Sequence, residues 1–259
     1  MRGVPANLCI GLLFGALVGA LFLSVVLVIT AWGYSPITGA AIVSVLPATT
    51  LAARPLERRL PRLWAVYGGA ALLAVGLVAL ALLPSASAGF AAAALAFCGL
   101  GLGLSIPVLS DAALDSGPGL ARSGTLTVGV RHLGLVLALA SIAPLLAAEL
   151  PPAGHRAELR ATAVLLDAPI GLTSKIPVAL DARAEFARAQ AGEIPDLARP
   201  FDAHGARHDP SLAAARDKLI GAIKDTITRA FRSSFLLSAS FALGALVLAF
   251  LFRRRGVVR

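Results

Sequence analysis

Apolar positions run through this chain in blocks too long to be the buried faces of surface helices. No charged residue occurs between Arg2 and Arg54, none between Arg62 and Asp111, and Arg131 stands alone between Arg122 and Glu149. A stretch of roughly 20 apolar residues crosses a hydrocarbon core, and each of these gaps holds at least one. Turn chemistry divides them: Trp32-Gly33-Tyr34-Ser35-Pro36 breaks the first and Pro84-Ser85-Ala86-Ser87 the second. The pattern predicts transmembrane helices at about residues 7–30, 35–53, 64–83, 88–110, 125–148 and 233–252. Trp32, Tyr34, Trp64 and Tyr67 fall near span ends, where an amphipathic ring is expected at the headgroup level.

Residues 149–232 form the one long polar segment. Within it Leu212, Leu219, Ile223, Ile227 and Phe231 recur at helical spacing, opposite Arg216, Lys218, Lys224 and Arg229. An amphipathic helix over about 211–232 follows, with two open placements: packed on the ends of its own bundle, or lying on the membrane surface. The earlier part, punctuated by Pro177, Pro195, Pro200 and Pro210, reads as loop with short helices.

Composition agrees with the pattern. The chain is 58% hydrophobic and 14% charged, with mean hydropathy +0.83, whereas soluble domains carry about 25% charged residues. Lipid has to cover the surplus. The net charge of +9 is concentrated in short segments beside spans, at 54–62 and after Phe252, which encodes topology and excludes nucleic-acid binding as the reason for it. Arg54, Arg58, Arg59 and Arg62, then Arg122, then Arg253, Arg254 and Arg255 all belong on the cytoplasmic side. Both termini are then cytoplasmic and 149–232 is extracytoplasmic, in a multi-pass protein of the cell membrane. The first apolar run continues uncharged to about residue 30 and further spans follow at once, so it reads as a span and not as a cleaved signal.

Chemistry-bearing residues are sparse. Cys9 and Cys98 lie inside apolar spans and define neither a disulfide nor a metal site. His155, His204 and His208 lack the partners of a zinc centre, and Gly-Leu-Gly-Leu-Gly at 99–103 lacks the strand and acid of a dinucleotide site. No intramembrane nucleophile is paired with a base, so the sequence predicts no enzyme, no catalytic residue, no metal and no cofactor. Gly11, Gly15 and Gly19 share one helix face, as do Gly99 and Gly103, and such faces let backbones approach closely in lipid. Arg131 is the most informative residue, because a cation inside a span costs roughly 2.5 to 3.5 kcal/mol unless paired or hydrated. It is expected to snorkel, to line a cavity, or to form a gating contact with Asp111 or Asp115 at the end of the fourth span. Its neighbour His132 points elsewhere on the helix.

Three segments resemble the major facilitator superfamily, in its drug/proton antiporter branch with fourteen helices. GYSPITGAAIVSVLP at 33–47 is similar to the family's segment of Gly, Ser-Pro, a small-residue Gly position and a span ending in Leu-Leu-Pro. LAARPLERRLPR at 51–62 resembles the basic cytoplasmic loop motif, with Leu51, Ala52, Arg54 and Arg58 matching, but Ala53 stands in place of its Asp and Leu56 in place of its Gly. GTLTVGVRHLGLVLALA at 124–140 resembles the penultimate helix, where Arg131 and Gly134 match an Arg followed three residues later by Gly. The resemblance covers about the whole chain and only the C-terminal half of such a transporter. It implies an all-α, six-helix bundle with a long, partly helical extracytoplasmic loop before the last helix, and a multidrug-type efflux permease working by alternating access. It also implies a small amphiphilic substrate and a second bundle, either a separate N-terminal half or another copy, with Arg131, Asp111, Asp115 and Gly134 as cavity or gating residues. The alternative is a non-transporting membrane protein, a truncated remnant or an accessory subunit whose outer loop binds a partner.

Overall fold

The computed structural model describes residues 3–115, 119–188, 197–206 and 208–254. Its elements are helical: α1 Gly3–Val25, α2 Pro36–Val43, α3 Val45–Ala52, α4 Arg54–Glu57, α5 Arg62–Ala81, α6 Ala88–Leu114, α7 Leu120–Asp167, α8 Leu172–Arg188, α9 Ala198–Ala203, α10 Pro210–Ala230 and α11 Arg232–Arg254. No strand occurs among the described residues. Among the described residues six helical stretches are long and apolar enough to cross a bilayer, the pattern of a multi-pass membrane protein. Helices are the required solution there, because lipid offers no partner for a free backbone N–H or C=O.

The ends are set by local chemistry. A π-helical turn, Val26–Ala31, finishes α1, and Gly33 at φ +70° turns the chain toward α2. Ser35 caps α2 by accepting from the Thr38 N–H, with Pro36 in the first turn. Pro47 explains the break between α2 and α3. It has no N–H for the Val43 carbonyl, and α2 stops at Val43. Ser87 caps α6, and Asp209 caps α10 by accepting from Ser211 and Leu212.

In the bundle α1 is central and packs on α6, α7 and α11, with α5 between α6 and α11 and α3 on the outer side of α6. Small residues set these approaches. A methyl at Gly134 would run into the Gly11 carbonyl, one at Gly19 into Ser238, and ones at Gly99 and Gly103 into the backbone of α3. Lipid supplies no hydrophobic drive between helices, so such close backbone packing is what holds them. Two further crossings use glycines that the fourfold spacing does not reveal: Gly69 against Gly101, and Gly76 against Cys98.

The largest departure from the predicted elements is in the polar segment. The fifth helix does not stop at 148; α7 continues through Pro151 and Pro152 to Asp167, 48 residues or about 72 Å. Where loop and short helices were expected, α8 is a helix of 17 residues with Pro177 inside it. The C-terminal part of α7, with α8, α9 and α10, forms a lobe at one end of the bundle. The predicted apolar face of α10 is its buried one: Leu212, Leu219, Ile223, Ile227 and Phe231 are all covered, and α10 packs along α7. Of the two placements left open for this helix, the structure has the packed one.

Candidate functional site

Arg131 sits on α7 where α1 and α6 converge. Its terminal nitrogen donates to Ser110 Oγ at 2.7 Å, and its guanidinium carbon lies 5.0 Å from the centre of the Phe14 ring. One side chain therefore ties three spans together. Its Nε is buried without a hydrogen-bond partner, so the cation is only partly compensated. Gly134, one turn further along α7, is the point of closest approach to Gly11, and Phe14 lies one turn beyond Gly11 on α1. The glycine crossing thus fixes how near the Phe14 ring comes to the guanidinium.

The predicted carboxylates are placed differently. Asp111 and Asp115 are exposed at the end of α6, and among the described residues no ion pair joins either of them to Arg131. The guanidinium meets Ser110 instead, the residue just before Asp111. Nothing in the sequence signals that hydroxyl, nor the Phe14 ring, because both contacts are made by tertiary packing. His132 is exposed, its Nδ1 donating to the Val128 carbonyl at 2.8 Å. Arg54, Arg58 and Arg59 are all exposed at the end of the bundle away from the lobe.

Two spans bury little of themselves. Ile37 and Leu51 on the α2–α3 span are exposed, as are Leu126, Leu133, Val136 and Leu137 on α7.

At the lobe end, α10 reaches three separate pieces of the bundle. Trp32 Nε1 donates to Thr228 Oγ1 at 2.8 Å, the Asp225 carboxylate accepts from the Ala86 N–H at 3.1 Å, and Lys224 Nζ lies 5.6 Å from the Tyr34 ring centre. Trp32 is 1% exposed beneath α10. Tyr67 turns inward and donates to the Ala249 carbonyl, while Trp64 is exposed. Both turns that break the charge-free runs are therefore held by one helix. They lie on the same side as the lobe, opposite the basic turn after α4.

Among the described residues no group of three or more His, Cys, Asp or Glu side chains is placed to hold a metal ion. Cys9 and Cys98 are buried free thiols. No protein-family model, curated protein or solved structure matches the chain.

Proposed function

We propose that this chain is one six-helix bundle of a transport permease of the major facilitator type, exporting small amphiphilic molecules by alternating access against a second bundle. The observation that carries the reading is the under-compensated cation: Arg131 is kept inside a span, between three helices, with part of its guanidinium unpaired. Intramembrane ionisable residues are costly and are retained where they line a pathway or a gate. The two least buried spans, α2–α3 and α7, carry exposed apolar side chains, which give a second bundle a face to close upon. In this reading the lobe is extracytoplasmic, the basic turn with Arg54, Arg58 and Arg59 is cytoplasmic, and the membrane is the cell membrane. Gly134 is a helix contact beside the gate, and Asp111 and Asp115 are solvated acids at its cytoplasmic mouth.

The test is flux of a fluorescent amphiphilic cation in proteoliposomes, together with the mass of the complex in nanodiscs. Arg131→Ala is expected to insert normally and to lose most transport; unchanged flux would sink the assignment. One observation favours the accessory-protein reading: no Asp or Glu lies well inside any predicted span, so the spans hold no obvious carboxylate proton carrier. A monomer that co-purifies with no second bundle and moves no substrate would establish that reading instead.

A further inference from the structure

The lobe contains a cleft of about 390 Å³ between α7, α8 and α10, within the range of about 300–1,000 Å³ typical of small-molecule sites. Its apolar surface includes Leu165 of α7 and Leu219 of α10, both buried, and Phe186 of α8, which is half-buried. Two charges of opposite sign also line it, Glu158 from α7 and Arg183 from α8. They do not neutralise each other, since no ion pair joins them among the described residues. Glu158 Oε2 lies 3.9 Å from His155 Nδ1, and Arg183 has no ion-pair partner among the described residues.

Contacts outside the cleft tie α8 to its neighbours. Lys175 Nζ donates to the Leu166 carbonyl at 2.6 Å beside the turn between α7 and α8, and His204 Nε2 lies 2.9 Å from Asp181 on the other side of α8.

We infer that this cleft binds a single-chain zwitterionic amphiphile, its apolar body on Leu165, Phe186 and Leu219, its cationic group toward Glu158 and its anionic group toward Arg183. The inference stands independently of the transport reading, because the cleft lies outside the bundle. The probe is a lysophosphatidylcholine carrying a diazirine in its chain, photolysed with the full chain in nanodiscs and mapped by peptide mass spectrometry. Labelling is expected within 158–186, in addition to any lipid-like labelling of the spans.

Ala179 lines the cleft and is itself exposed, so Ala179→Trp fills the space without entering the core. That variant is expected to lower lobe labelling at least tenfold with the helical circular dichroism unchanged. Glu158→Gln and Arg183→Gln leave the shape intact, and each is expected to weaken labelling about two- to fivefold, the scale of a solvated ion pair. Labelling confined to the spans, or lobe labelling indifferent to Ala179→Trp, overturns the site. If both charge variants label as the native chain does, the zwitterionic assignment is overturned.

Discussion

Replacing Arg131 by Met separates what the cation does from what the helix needs. An arginine at the centre of a span costs about 2.5–3.5 kcal/mol on insertion scales, which sets the upper bound for Arg131. Its bond to Ser110 returns about 0.6 kcal/mol, the average for a side-chain hydrogen bond between membrane helices. The Phe14 ring, 5.0 Å away, returns about 1–2 kcal/mol for a largely desolvated cation–π contact. About 1 kcal/mol remains uncompensated, consistent with a buried Nε that bonds to nothing. Methionine keeps an unbranched chain of similar reach and removes the charge, so Arg131→Met is expected to stabilise the bundle by about 1 kcal/mol while abolishing flux.

Equilibrium unfolding in nanodiscs measures the first effect and the proteoliposome assay the second. A double-mutant cycle with Phe14→Leu should give a coupling of about 1–2 kcal/mol between the two side chains. If Arg131→Met instead destabilised the bundle by more than 1 kcal/mol, the guanidinium would be a structural tie and the argument from its cost would be wrong. A coupling near zero would refute the Phe14 contact itself.

Gly99→Leu forces a side chain into Leu46 and Thr49 of α3 and disturbs the Thr50 hydroxyl bonded to the Gly99 carbonyl at 3.0 Å; a loss of about 1–3 kcal/mol in the same unfolding assay is expected. Gly68→Leu has open space around it and should cost much less, so equal losses at both positions would refute the packing account. Thr228→Val leaves the Trp32 indole N–H buried without an acceptor, which should cost about 1–3 kcal/mol and raise hydrogen exchange at the N-terminal end of α2. Orientation is checked by single cysteines. Both native thiols are buried, so Ser85→Cys should react with an impermeant maleimide in intact cells and Arg59→Cys only after permeabilisation; the reverse pattern would invert the topology.

The spans were legible because a bilayer imposes a coarse rule. Charge-free runs interrupted at Gly33 and Pro84 leave few ways to thread the chain, and Pro36 and Ala88 begin helices within a residue of where the turns predict them. The glycine faces were legible in part. Gly11, Gly15, Gly19, Gly99 and Gly103 sit at fourfold spacing and lie at crossings, whereas Gly69 and Gly76 are seven apart, in a helix rich in other small residues. The partners of Arg131 were not legible, since a Ser and a Phe in other spans carry no signal until packing brings them together.

The polar segment was misjudged for a physical reason. Glu149, Pro151 and Pro152 read together as a stop, because each proline inside a helix costs about 3 kcal/mol. The helix persists because burial continues past them. Ala153, Ala157 and Ala161, with Val164 and Leu165, form a covered stripe at helical spacing, and α10 lies along α7. The small side chains let the two helices run close together, and α10 then passes into α11 with only Phe231 between them. The lobe is thus joined to the bundle by two nearly continuous helices and tied to two of its turns by Trp32 and Ala86. A tilt of α7 or α11 within the membrane must either carry the lobe with it or break those two contacts. Arg131 lies on α7 itself, so anything that draws the guanidinium away from Ser110 and Phe14 acts directly on one of those shafts.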